Sequence, residues 1–310
     1  MHVLTILAPV FLVVILGLFL RQTGFASYSF FQQTNKLVYW VGLPALLFYK
    51  TADAPPEFGN VLNIVVVLVA GMVGCIIAGY TVSFLLGLSV EDRGTFVQGT
   101  FRGNLAYVGL PIVLYTIEAS DIAGNGMAFL VIAPMIPLYN FASVFVLTAG
   151  RRSEGSTRKD HIRKLTLKIV TNPLIIACLA GLLYSLTGLG IPLFLYRTLE
   201  AIGQMALPLA LLGIGATLSF DTVKGEARES IAASIIKTAG APLIGFLVGS
   251  ALQLSAVEMR VALLYLTCPT AISSYVMAQQ LKGNDRLAAG IVVVSTVVAA
   301  FSLWTVLTFL

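Results

Sequence analysis

Residues 100–111 read TFRGNLAYVGLP. Arg102, Gly103 and Asn104 stand in a row inside a stretch that is otherwise apolar. Each disfavours a helix in lipid: arginine brings charge, glycine loosens the backbone, and asparagine brings an amide that hydrocarbon cannot satisfy. A membrane segment keeps such a triplet where the helix must stop and something polar must be held. The rest of the chain decides whether this is a membrane segment.

The chain has 310 residues, 58% of them hydrophobic and 11% charged, with a mean hydropathy of +0.93. Soluble chains carry roughly 25% charged residues. This one cannot cover a soluble surface with charge, so a lipid bilayer is its expected solvent. The net charge is +5. The basic residues fall mostly in short loops between apolar runs, the pattern that writes membrane topology, so no nucleic acid is expected as a partner. Cys75, Cys178 and Cys268 stand singly in apolar stretches, without metal spacing, and read as packing thiols. The opening MHVLTILAPVFLVVILGLFLRQTG lacks a basic leader and a small-residue cleavage site, and reads as a first membrane helix.

A spanning helix needs about 20 mostly apolar residues. Ten stretches qualify: 3–20, 34–51, 60–88, 93–117, 125–149, 166–187, 192–219, 229–252, 258–281 and 286–309. The long polar stretch RRSEGSTRKDHIRK divides them five and five. The expected organisation is a first five-helix repeat at 1–149, a cytoplasmic linker at 150–165 and a second repeat at 166–310. With the N-terminus outside, fourteen basic residues fall on the inner side: Arg21, Lys36, Arg93, Arg151, Arg152, Arg158, Lys159, Arg163, Lys164, Lys168, Lys224, Arg228, Lys282 and Arg286. Only Lys50, Arg197 and Arg260 fall outside, with the acidic loops DAPPE (53–57) and EASD (118–121). Both termini are therefore expected on the outer, periplasmic side of the cell (inner) membrane.

The halves echo each other. Pro9, Gly17, Gly24 and Pro44 recur at the same spacing as Pro173, Gly181, Gly188 and Pro208. Five spans per unit is an odd number, so the second unit enters the membrane inverted, the build of many secondary transporters. Later in each unit, LSVEDRGTFVQGTFRGNLAYVGLP meets its counterpart in LSAVEMRVALLYLTCPTAISSYVMAQQL. Gly103-Asn104 then falls close to Pro269-Thr270, each in the middle of the fourth span of its half. Glycine and proline both interrupt a helix, and in hydrocarbon such a break survives only inside protein or beside a wet cavity. Half-helix ends brought together there offer free N–H groups to an anion. Asn104 adds an amide, and Thr270, Ser273 and Ser274 add hydroxyls.

Two basic residues lie at membrane depth, Arg102 and Lys237, and no Asp or Glu lies in the middle of any span. Arg102 can snorkel to an interface, whereas Lys237 lies deeper. The positive bias suits a carrier of small organic anions and gives little support to a carboxylate proton relay. Hydrolase chemistry is disfavoured: the histidines are His2 and His161, and HExxH, GxSxG and a P-loop are absent. No enzyme activity and no cofactor are expected. Gln98, Asn104, Thr270 and Gln279 supply uncharged oxygens that suit sodium as well as an organic acid. A coupling ion, sodium or proton, and a homodimer stay open. So do two other readings, a sodium-coupled symporter of another organic solute and a membrane sensor without transport.

The stretches NKLVYWVGLPALLF, GNLAYVGLPIV, LEAIGQMALPLALLGIGATL and CPTAISSYVMAQQLKGNDRLAAGIVVVSTVV resemble the auxin efflux carrier (AEC) family. That family contains the plant PIN carriers and compact bacterial members; this chain is similar to the compact kind. The resemblance implies an all-α membrane protein of ten helices in a 5+5 inverted repeat, similar to the sodium–bile acid symporters. It implies a scaffold of helices 1, 2, 6 and 7 and a transport domain of helices 3–5 and 8–10, moving as an elevator. Broken helices 4 and 9 would cross at the substrate site, with Asn104 and Pro269 at the family's asparagine and crossover proline. Plant carriers have proline where this chain has Gly103, a second proline at Ser274 and lysine at Gln279, and a long loop that is missing here. These departures point away from auxin itself, with auxin-like acids kept in the class. They point towards the small carboxylates, such as malate or malonate, linked to bacterial members.

The basic asymmetry generates a topology test. A cysteine placed at Ser156 should react with an impermeant maleimide only from the cytoplasmic side, and tags at both ends only from outside. Labelling of position 156 in sealed cells would reverse the orientation.

Overall fold

A computed structural model describes residues 2–53, 58–117, 122–149, 171–218, 223 and 225–309. Residues 54–57 of the expected loop 53–57, the loop 118–121, the linker at 150–165 with Ser156 and His161, and Lys168 and Lys224 lie outside the described residues. The described chain is helical throughout, apart from turns and one isolated backbone bridge.

Among the described residues, six helices are long and apolar enough to cross a bilayer. They are α1 (His2–Gln22), α4 (Phe58–Leu85), α7 (Ile122–Thr148), α9 (Leu193–Thr217), the run from α10 (Ala227–Ile235) into α11 (Ala241–Ala251), and α14 (Asp285–Phe309). They match six of the ten expected spans. The other four take other forms in the described residues. Expected span 34–51 falls within α2 (Tyr28–Leu37) and α3 (Leu43–Asp53), joined by a π-helical turn. Span 93–117 divides into α5 (Val90–Phe101) and α6 (Leu110–Thr116), and span 258–281 into α12 (Ala256–Thr267) and α13 (Ser273–Gln280). Span 166–187 begins outside the described residues; its described part is α8 (Pro173–Ser185).

The π turns have a local cause. They cover Val38–Gly42, Leu105–Gly109 and Ile236–Gly240. Each ends on a glycine, and a proline follows two residues later: Pro44, Pro111 and Pro242. Proline cannot donate to the helix, and its ring collides with the carbonyl four residues back. Those carbonyls belong to Trp40, Tyr107 and Thr238, all inside the widened turns. Widening to the next carbonyl relieves the collision without ending the helix. The echo between halves also has a physical counterpart. Gly24 follows α1 with φ +73°, and Gly188 follows α8 with φ +68°. Both occupy the left-handed turn that side chains resist.

The chain forms two compact units, each drawing on both halves of the sequence. The first comprises Met1–Leu62, Ala106–Pro134 and Ile169–Leu218. In it α1 packs along α9, and α3 packs along α8 and α9. Backbones come close because glycines stand at the contacts. A Cβ on Gly17 would overlap the Leu212 carbonyl, one on Gly215 the Val14 carbonyl, and one on Gly181 Thr51. Van der Waals contact between small residues holds helices together where lipid removes the hydrophobic incentive. Leu12, Ile15, Leu16 and Phe19 form an exposed apolar stripe on α1, as a lipid-facing surface requires.

The second unit comprises Asn63–Leu105, Met135–Lys168 and Ser219–Leu310. Its centre is α5. A Cβ on Gly79 of α4 would stand 2.7 Å from Thr100 Oγ1 of α5. One on Gly94 would stand 2.7 Å from the Val146 carbonyl of α7, and one on Gly99 2.7 Å from Ile291 of α14. Neighbours on three sides bury Thr95, Gln98 and Thr100, which lipid would not tolerate.

A substitution pair tests the packing. Gly215→Val places a side chain into the α1 backbone and should cost about 1–3 kcal/mol or more. Gly190→Ala meets nothing within 4 Å and should be neutral. Melting of the purified variants in detergent separates the two outcomes.

Candidate functional site

Two helices of the second unit stop at matching places. Ser89 caps α5, its Oγ accepting from the Asp92 N–H at 3.1 Å. Ser255 caps α12 in a reciprocal box, accepting from the Glu258 N–H at 3.3 Å while Glu258 Oε2 accepts from the Ser255 N–H at 2.8 Å. Each helix then runs for 12 residues and breaks. The caps align Gly103 with Pro269 and Asn104 with Thr270.

The breaks meet through their backbones. The Asn104 N–H donates to the Pro269 carbonyl at 2.8 Å, and the Ala271 N–H donates to the Arg102 carbonyl at 2.9 Å. Gly103 and Thr270 form an isolated antiparallel bridge between these bonds. The groups freed by the breaks find side chains. Pro269 has no N–H for the Tyr265 carbonyl, which accepts from Cys268 Sγ at 2.9 Å instead. The Thr270 N–H turns to Ser295 Oγ of α14 at 3.0 Å, and Thr270 Oγ1 donates to the Gly99 carbonyl of α5 at 2.8 Å. The Leu266 carbonyl, which a continuous helix would pair with Thr270, accepts from Lys237 Nζ in the π turn between α10 and α11.

Arg102 is 6% exposed and does not snorkel. Its guanidinium donates to Asn140 Oδ1 of α7 at 2.7 Å and contacts Met277 Sδ of α13. Four hydroxyl or amide groups nearby in the fold have no protein partner: the Gln98 amide, Ser143 Oγ, Ser274 Oγ and the Tyr139 hydroxyl. Gly94 lies against Val146 and Arg102 against Asn140, so α5 and α7 run antiparallel. That register puts Gln98 and Ser143 at the same level, each one turn from the Arg102–Asn140 pair. Buried polar groups without protein partners are places for water or a ligand. The arrangement offers one guanidinium and several neutral donors, a set suited to an anion. Among the described residues, no group of His, Cys, Asp and Glu could hold a metal ion.

A family model described as membrane transport protein matches residues 2–307. The chain belongs to the membrane transport protein family. The auxin efflux carrier resemblance read from its motifs falls within that family. A protein of Rhizobium meliloti (strain 1021), provisionally named as a malonate transporter, is 22% identical over 276 residues, covering 86% of this chain and 82% of the relative. An uncharacterized transporter of Methanocaldococcus jannaschii is 22% identical over 294 residues, covering 93% and 92%. The chain is a multi-pass membrane protein of a transporter family.

Within this transport family member, Arg102, Gly103, Asn104, Pro269 and Thr270 come together, and Lys237, expected with them as a substrate-binding residue, reaches the break through the Leu266 carbonyl. Gly103 is there for space. It does not use the left-handed region; a Cβ on it would lie 3.0 Å from Cys268 Sγ and 3.3 Å from Lys237 Cε. Ser274 and Gln98 are buried, whereas Ser273 and Gln279 are exposed on α13. Sequence reasoning missed Asn140, Met277 and Ser295. Asn140 carried a signal, as a lone amide in the apolar run MIPLYNFASVF. Ser295 and Met277 carried none, because serine and methionine are ordinary in such helices.

Thr270 supplies a direct test of the paired breaks. Thr270→Val removes the hydroxyl that satisfies the buried Gly99 carbonyl and should cost about 1–3 kcal/mol. Thr270→Ser keeps it and should melt close to wild type. Equal melting of the valine variant would show that this bond does not hold the breaks together.

Proposed function

We propose that this chain is a secondary transporter of small organic anions across the cell membrane, with carboxylates such as malonate or malate as its substrate class and auxin-like acids beside them. One observation carries the reading: the two backbone breaks pair inside one compact unit and are surrounded by Arg102 and by buried donors without protein partners. An all-packing role for the breaks would not leave the Gln98 and Ser274 side chains unsatisfied. The name carried by the Rhizobium relative points to the same substrate class.

The proposed architecture is ten spans in a 5+5 inverted repeat, with both termini outside. The equal lengths and matching serine caps of α5 and α12 support it, as do the left-handed Gly24 and Gly188. Helices from spans 1, 2, 6 and 7 serve as scaffold, and the unit holding the breaks carries the substrate in elevator fashion. A carboxylate enters beside Asn104, drawn by the Arg102 guanidinium, while Thr270, Ser274 and Gln98 complete its hydrogen bonds. The reading rests on local charge: hydrocarbon around the unit leaves Arg102 poorly screened, so an anion is favoured over a neutral or cationic solute.

Uptake of labelled malonate, malate and indole-acetate into proteoliposomes tests the class. Asn104→Ala should weaken apparent affinity by about two- to tenfold, the equivalent of one hydrogen bond of about 0.5–1.5 kcal/mol. Asn104→Leu should be worse, because it also fills the space. Both should insert and fold. Normal binding and uptake of every wild-type substrate by Asn104→Leu would make the break architecture alone.

A further inference from the structure

Lys237 is 0% exposed in the middle of an apolar helical run. A buried ammonium is costly unless something answers its charge. Among the described residues no carboxylate pairs with it; its hydrogen bond goes to the Leu266 carbonyl. That carbonyl belongs to the last turn of α12. The end of α5 lies beside it as well: a Cβ on Gly103, two residues past α5, would stand 3.4 Å from Lys237 Nζ. The lysine therefore stands where two half-helices present their C-terminal ends.

Each helix C-terminus carries a partial negative charge of roughly half a unit. Two such ends add to about one negative charge, which one ammonium balances. In secondary transporters with discontinuous helices, unwound carbonyls and half-helix C-termini are the groups that coordinate coupling cations. Here the chain supplies the cation itself. The local structure is arranged for it. Pro242 widens the helix into the π turn that carries Lys237, and Gly103 leaves the space that the lysine stem fills. Thr238, the next residue, accepts from Ser302 of α14 at 3.1 Å and donates to the Ser234 carbonyl at 2.9 Å, which fixes the turn.

We propose that the Lys237 ammonium is a resident cation at the paired half-helix ends, taking the place of a coupling metal ion, so that this carrier holds its breaks closed and completes its cycle without sodium. The proposal rests on the transporter reading, and it assigns Lys237 a positioning role: it holds the breaks, while Arg102 faces the anion. The Lys237 charge is offset by carbonyls, so the substrate's charge is left to Arg102.

The test uses purified full-length protein in chloride salts of sodium, potassium and choline at equal ionic strength. Wild-type melting temperature should be the same in all three, and wild-type uptake of labelled malonate should not need sodium. Lys237→Ala leaves the carbonyl ends without a cation. It should melt lower than wild type in choline and recover, saturably, on titration with sodium or methylammonium. Lys237→Met fills the stem volume without the charge, so it should pack better than the alanine variant yet transport roughly tenfold or more slowly in choline. A sodium-specific rise in wild-type melting or uptake overturns the proposal. So does a Lys237→Met protein with wild-type melting and uptake in choline. If neither variant folds, the wild-type cation series alone decides. If no carboxylate is transported but the melting series behaves as expected, the substrate reading fails and the assignment of Lys237 stands.

Discussion

Hydrocarbon offers no hydrogen bonds, and this structure depends on how it meets that constraint at two points. Both α5 and α12 stop inside the second unit, and each stop frees backbone groups that an apolar surrounding would leave unsatisfied. The two stops satisfy each other, with Asn104 donating to Pro269 and Ala271 to Arg102. Ser295, Cys268, Lys237 and the Thr270 hydroxyl take up four more of the freed groups. Breaking either helix alone would leave several buried groups orphaned. The pairing makes both breaks affordable, and it fixes where the polar groups of a carrier can stand.

Two buried basic side chains meet different fates for the same reason. Arg102 is a planar fork with several donors, and it reaches an amide on α7 and the Met277 sulfur on α13. Lys237 is a compact point charge on a flexible stem, and it fits a carbonyl at a helix end. Exchanging the two types would fail at both places. A lysine at 102 lacks the fork, and an arginine at 237 would not fit the space that Gly103 leaves beside Cys268.

Close backbone packing makes the rest possible. Gly79, Gly94 and Gly99 let three helices approach α5 near enough to shut out lipid. That approach hides Thr95, Gln98 and Thr100, so polar chemistry can sit within an apolar chain. The π turns serve the same end, since each keeps a helix running through a proline. In the first unit, glycines at the contacts of α1 with α9 and of α3 with α8 give the same kind of close packing.

Composition alone determined that the chain lives in lipid, because so few charges cannot cover a soluble surface. The six long apolar helices were legible for the same reason: a spanning helix needs only length and hydropathy, which are local properties. The breaks were legible at Gly103-Asn104 and Pro269-Thr270, because polar and helix-breaking residues are conspicuous among apolar ones. Their exact partners were not. Whether Arg102 turns to water or to Asn140, whether Gly103 provides flexibility or room, and whether Lys237 faces a ligand or a carbonyl depend on residues far away in sequence. Such contacts leave no periodicity or composition to read. Only the tertiary structure decided them, because a hydrogen bond is set by distance and direction in space.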